Sequence, residues 1–150
     1  MTSDGSGPVL FAYDGSDLAA NAITEAGRQL LAGRDALVLT VWEPFNVGFL
    51  PVAGMELDAA GADEVRAAAE KTAADGVSLA EAAGFRARSM TVEAAPTSKG
   101  IIDAADSCDA SLIVLGSHGR SGLTGLVVGS VAGAVAAHSR RSVLIVHRRQ

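Results

Sequence analysis

Short apolar runs alternate along the chain with longer segments of helical period. Residues 9–13 (Val, Leu, Phe, Ala, Tyr) form an unbroken apolar run that ends in Asp14, Gly15, Ser16 and Asp17. That combination predicts a buried strand, a turn and a helix N-cap. Ala22, Ile23, Ala26, Leu30 and Leu31 then recur at helical spacing, so a first helix is expected over 18–32, with Gly33 as its C-cap. Residues 36–42 read as a second strand. Unbroken runs of this kind suit a parallel sheet covered on both faces. Residues 43–58, with Pro44, Gly48, Pro51 and Gly54, read as a long loop. Long loops in small domains are often functional.

The alanine-rich stretch 59–83 has helical period, with Gly61 and Gly76 as weak points and Gly84 as the stop. Residues 86–93 alternate as a third strand. Pro96, Thr97 and Ser98 open a third helix that reaches Cys108. Residues 111–115 form a fourth strand, 116–128 a glycine-rich loop, 130–139 a short helix and 142–147 a fifth strand. The order β-α-β-α-β-α-β-α-β predicts one α/β domain, a doubly wound parallel sheet. A flexible N-terminus is expected over 1–7, and the domain over 8–150.

The 150 residues suit a single domain, and 49% apolar content is too high for a disordered chain. Aromatics make up only 4%, so aliphatic residues and 29 alanines must build the core. The one cysteine, Cys108, excludes a disulfide framework and any multi-cysteine metal site. It reads as a buried structural thiol. The first residues lack a basic region followed by an apolar one, so a cytoplasmic location is expected. Residues 121–137 carry no charge, but glycines at 122, 125, 129 and 133 and the flanking strand patterns argue against a membrane span.

Charge is divided unevenly. Residues 1–110 hold all 17 acids against 7 bases, a balance of −10. Residues 111–150 hold 5 arginines, all 3 histidines and no acid, a balance of +5. The acidic body argues against general nucleic-acid binding, whereas a small anion suits the last third.

The glycine-rich segment points to that anion. It contains Gly116, Ser117, Gly119, Arg120, Gly129 and Ser130, follows an apolar strand and leads into a helix. Glycines let a backbone approach phosphate closely, and a helix N-terminus presents N–H groups to it. The spacing is neither that of Walker A nor Gly-x-Gly-x-x-Gly. Glycine used only for close helix packing is the competing explanation.

The pattern Gly116-x2-Gly119-x9-Gly129-Ser130 resembles the nucleotide-binding motif of the universal stress protein family. The resemblance spans nearly the whole chain, including Asp14-Gly15-Ser16 after the first strand and Thr40-Val41 at the end of the second. It implies a five-stranded Rossmann-like sheet in the order 3-2-1-4-5, a homodimer and, in the branch that carries the motif, ATP with magnesium or manganese carried by the phosphates. Gly116, Gly119, Gly129 and Ser130 match the positions that hold ribose and phosphates, and Ser117 and Val131 adjoin them. Asp14 matches the acid on the ribose hydroxyls, Val41 the residue whose backbone meets the adenine edge, and Ala12 and Tyr13 line the same wall. Asp14 as a turn or capping residue remains open. So does Arg120 as a γ-phosphate contact or a solvated charge, and His118 as a polar contact or an exposed loop imidazole.

The chain departs from many relatives in having Glu93-Ala94-Ala95 before Pro96 and Arg141 rather than proline before the last strand, so both turns are uncertain. Val143, Leu144, Ile145 and Val146 form an apolar strand suited to antiparallel pairing with a second copy. The expected function is a nucleotide-responsive switch in stress response that acts with a signalling partner. Alternatives are a slow ATP hydrolase or autophosphorylating protein, an AMP or cyclic-nucleotide sensor, and a nucleotide-free dimeric scaffold.

Overall fold

The computed structural model of the chain describes residues 6–43, 59–118 and 128–148. Its elements are β1 (Val9–Ala12), α1 (Asp17–Gln29), β2 (Asp35–Trp42), α2 (Ala59–Ala82), β3 (Arg86–Glu93), α3 (Thr97–Ser107), β4 (Leu112–Gly116), α4 (Ser130–His138) and β5 (Ser142–Val146). All strand pairs are parallel, in the order β3-β2-β1-β4-β5. This is the doubly wound sheet that the alternation predicts.

Strand periodicity divides the core in two. Val9, Phe11, Ala36, Val38 and Val114 face the layer of α1 and α2. Leu10, Leu37, Leu39, Ile113 and Leu115 face the layer of α3 and α4. A strand buried on both faces needs apolar residues at every position, hence the unbroken runs. Phe11 meets Phe85 edge to face, with centroids 5.2 Å apart.

Two helices differ from expectation. In α1 the Ser16 hydroxyl caps the helix by accepting the Ala19 N–H at 3.2 Å. The helix ends at Gln29, because Leu30 is already extended, with φ −107° and ψ 158°. Gly33 is therefore not the C-cap. It makes the bend into β2 at φ +83°, and its N–H donates to the Gly84 carbonyl at 2.8 Å. Leu31, assigned by spacing to the helix face, is left 82% exposed.

Helix α2 runs unbroken through Gly76. A Cβ at residue 76 would lie 2.7 Å from both Tyr13 Cδ1 and Val38 Cγ1. Glycine here permits close packing of α2 on the sheet rather than weakening the helix. Ala69, Ala73, Gly76 and Ala80 form its buried stripe.

The turn into α3 contains a cis Ala95–Pro96 peptide. Cys108 forms the C-cap of α3 and is half-buried, not fully buried. Burial pushes its thiol pKa up. The turn into β5, uncertain without proline, is held by Arg141. Its Nε reaches Asp106 Oδ1 at 2.9 Å, and its Nη1 reaches Asp109 Oδ1 at 3.0 Å and the Ala110 carbonyl at 2.7 Å. At the other terminus Gly7 packs against the Asp109 backbone, and its carbonyl accepts the Ser111 hydroxyl. Among the described residues, no helix is long and apolar enough to cross a membrane.

Candidate functional site

The chain leaves β1 toward β2 on one side, whereas β4 pairs with β1 on the other. Parallel sheets bind ligands where the connections diverge in this way, at the carboxyl ends of the strands. A cleft of about 540 Å³ lies there, bounded by the ends of β1, β2 and β4 and by α2, α3 and α4. That volume suits a small organic ligand.

The floor forms where β1 stops. The last bond between β1 and β2 runs from the Tyr13 N–H to the Leu39 carbonyl at 2.9 Å. The Tyr13 carbonyl then accepts the Thr40 hydroxyl, also at 2.9 Å. Strand β2 continues past this point in register with β3, Val41 opposite Val92 and Trp42 opposite Glu93. In a parallel strand, the N–H and C=O of one residue point to the same neighbour, and successive residues alternate between neighbours. Leu39 faces β1, and Trp42 faces β3, where its carbonyl accepts the Ala94 N–H. Val41 therefore turns its backbone donor and acceptor to the side that β1 has vacated.

Asp14 lines the cleft and also serves the turn, since its Oδ1 accepts the Ser16 N–H at 2.9 Å. Tyr13 is 8% exposed. Its phenol pKa is raised above the ordinary value, first by burial and then by the carboxylates of Asp75, Asp14 and Asp17.

The opposite end forms around Ser117, which is 3% exposed. Its N–H donates to the Val146 carbonyl at 2.9 Å, and its own carbonyl accepts the Gly129 N–H at 2.7 Å. Residue 117, near the start of the glycine-rich segment, is thus tied to residue 129, near its end. A Cβ at residue 129 would lie 2.9 Å from the Ser117 carbonyl, and one at Gly116 would lie 3.0 Å from Leu18 Cγ. The close approach at residue 129 is against backbone and needs glycine, whereas at residue 116 a side chain would press on Leu18. Gly129 caps α4 without a side-chain bond. The opening N–H groups of a helix have no intrahelical acceptor, and here Ser130, Val131 and Ala132 adjoin the cleft. The Ser117 hydroxyl lies 3.3 Å from His118 Nδ1.

The cleft thus brings together Ala12, Tyr13, Asp14, Val41, Gly116, Ser117, Gly129, Ser130 and Val131. Gly119 and Arg120 lie outside the described residues, as do 121–127 and most of the loop after β2. Sequence reasoning missed Thr40, Trp42 and Glu43, the α2 wall (Val65, Ala68, Ala69, Thr72), and Thr97 and Ile101 of α3. The spacing 65, 68, 69, 72 was a readable helical stripe. Nothing local linked Glu43 to Thr97, whose hydroxyl donates to Glu43 Oε1 at 3.0 Å across 54 residues. Strand β5 lies at the sheet edge, with Val143, Leu144 and Ile145 half-buried and Val146 already buried within the chain.

The comparisons agree with this architecture. The chain is 35% identical over 153 residues to the universal stress protein Rv2005c of Mycobacterium tuberculosis, covering 94% of this chain and 45% of that protein. A universal stress protein of Mycolicibacterium smegmatis is 32% identical, with 95% and 46% covered. The chain therefore spans about half the length of the curated relatives it matches. Among solved structures, hypothetical protein MJ0577 shares the fold with a TM-score of 0.79 at 22% identity, over 97% of this chain and 98% of that one. A universal stress protein in complex with cAMP gives 0.64 at 26% identity, over 94% and 96%. The universal stress protein of Archaeoglobus fulgidus in complex with dAMP gives 0.65 at 25%, over 93% and 96%. Residues 6–147 match the model of the Universal stress protein family, and the chain belongs to that family.

Proposed function

We propose that the cleft binds ATP and that the protein works as a nucleotide-responsive switch in stress response. The observation that carries this reading is the division of the cleft into three parts. At one end Val41 turns a backbone donor and acceptor past the end of β1, which suits the edge of adenine. Between the ends lies the Asp14 carboxylate, which suits ribose hydroxyls. At the other end the start of α4, beside Gly116 and Gly129, suits phosphate. The order matches base, sugar and phosphates, and the fit rests on these residues of the chain. The relatives solved with cAMP and dAMP support an adenine nucleotide. Arg120 would add charge-assisted hydrogen bonds to the terminal phosphate. Magnesium or manganese would arrive with the phosphates.

The switch would act in the cytoplasm as a homodimer paired through β5, passing the nucleotide state to a signalling partner. A slow hydrolase is the second reading, favoured by the contact between Ser117 and His118 at the phosphate end. Release of inorganic phosphate that disappears in His118→Ala would support it.

Thermal unfolding of nucleotide-stripped protein with ATP and magnesium, AMP, cyclic AMP or GTP tests the main reading. Ligand at about 100 times its Kd stabilises the folded state by roughly 2.7 kcal/mol. For a domain of this size the Tm rises by roughly 5–10 °C. A shift with ATP exceeding that with the other nucleotides is the expected result. No shift with any of them overturns the reading.

A further inference from the structure

Glu43 lines the cleft on the side of Val41, away from the start of α4. Its Oε1 accepts the Thr97 hydroxyl at 3.0 Å, which pins the carboxylate to the start of α3. Among the described residues it forms no ion pair. Asp14 is the other described carboxylate on the wall, and it serves the turn after β1. An anchored carboxylate without a cation, beside a backbone edge that accepts a purine, has the chemistry of an acceptor for an amine.

Chain direction decides where that amine lies. Along β2 the N–H of Val41 precedes its C=O. A purine that receives the N–H at ring nitrogen N1 and donates its 6-amine to the C=O therefore has the amine on the C-terminal side of N1. One hydrogen of the amine pairs with the Val41 carbonyl. The other points along β2 in the direction of Glu43, two residues and roughly 6.6 Å further on. Val41 is fixed in this position from below, because a Cβ at Gly100 would lie 3.0 Å from its Cγ1 and glycine lets α3 close onto it.

We infer that Glu43, held by Thr97, reads the 6-amino group of the bound purine and sets the preference for adenine over bases that lack the amine. This rests on the cleft being a nucleotide site, and it assigns to that site a side-chain selector in addition to the backbone edge. Thr97 is a positioning residue in this arrangement, because it acts through Glu43.

The test is a cycle of two proteins and two ligands. Calorimetric Kd values are measured for ATP and for purine riboside triphosphate, which keeps N1 and lacks the amine. Both are titrated into the wild-type chain and into Glu43→Ala. The Val41 carbonyl contributes equally in both proteins, so the change in ligand preference isolates Glu43. A charge-assisted hydrogen bond predicts that the preference for ATP falls roughly tenfold in Glu43→Ala, with the analogue's Kd unchanged. Thr97→Val leaves the carboxylate present but unanchored and is expected to lose part of the same preference. It also serves if Glu43→Ala does not fold. Equal weakening of both ligands, or an unchanged preference in both variants, overturns the role of Glu43 and leaves the adenine cleft standing. Binding of neither ligand to the wild-type chain overturns both.

Discussion

The hydroxyl of Thr40 donates to the carbonyl of Tyr13 at 2.9 Å, and with that bond the pairing of β1 and β2 ends. Both residues are buried, at 6% and 8% exposure. A side chain has taken the acceptor that the next β2 amide would otherwise use. The cleft opens where the ladder stops. Thr40→Val keeps the shape and removes the donor, leaving a buried carbonyl unsatisfied. Urea unfolding is expected to show a loss of about 1–3 kcal/mol, with Thr40→Ser recovering most of it.

Trp42 is the single tryptophan of the chain and lines the cleft. Its fluorescence therefore reports ligand entry without a label. Addition of ATP is expected to shift its emission with the same Kd that calorimetry gives. In Gly129→Ala the new Cβ would press within 2.9 Å of the Ser117 carbonyl, so that carbonyl or the start of α4 must move. The tryptophan titration should then show at least roughly tenfold weaker binding, with a stability loss of about 1–2 kcal/mol. Unchanged binding in Gly129→Ala would remove the start of α4 from the site.

Tyr13 is the single tyrosine, so its ionisation can be followed directly by ultraviolet absorbance. Burial, then Asp75, Asp14 and Asp17, raise its pKa above the ordinary 10.0. The folded state therefore holds the phenolic proton more tightly than the unfolded state. The associated stability is present below pH 10 and is lost as pH rises through the folded-state value. The absorbance midpoint should lie above that of the chain unfolded in urea. Coincident midpoints would refute the assignment.

Arg141 gathers Asp106, Asp109 and the Ala110 carbonyl at the turn into β5. The two carboxylates raise its pKa, the hydrogen bond to Asp106 foremost and that to Asp109 next. The carboxylates are largely exposed, so screening limits what each pair contributes. Arg141→Ala is expected to cost about 1–2 kcal/mol. Hydrogen exchange should show the loss concentrated in β5 and the end of α3. Even loss across the domain would mean that Arg141 does not organise this turn.

The succession of strands and helices and the parallel direction of the sheet were legible in the sequence because strand burial is a local pattern, whereas the strand order came from the family resemblance. Residues 9–12, 36–42 and 112–115 are apolar at nearly every position, as only a doubly covered sheet requires. Gly116, Gly129 and Ser130 were legible as a spacing, and Asp14 as a residue after a strand. The C-cap of α1 was misread because Gly33 has the conformation of a cap but serves a contact with Gly84, 51 residues away in the chain. The role of Gly76 is not local either, because it is set by the close approach of Tyr13 and Val38 to α2.

The sequence by itself determined the succession of strands and helices, that the sheet is parallel with its central strands buried, and that glycines cluster after the fourth strand. Those properties follow from periods of two and 3.6 residues and from the conformational freedom of glycine. Only the tertiary structure decided that β2 outruns β1, that Val41 turns its backbone into the gap, that Glu43 is held by Thr97, and that α2 closes the cleft. Each of these depends on where one element stops relative to another far off in the chain. The lengths of packed neighbours set such stopping points, and no periodicity within a single segment encodes them.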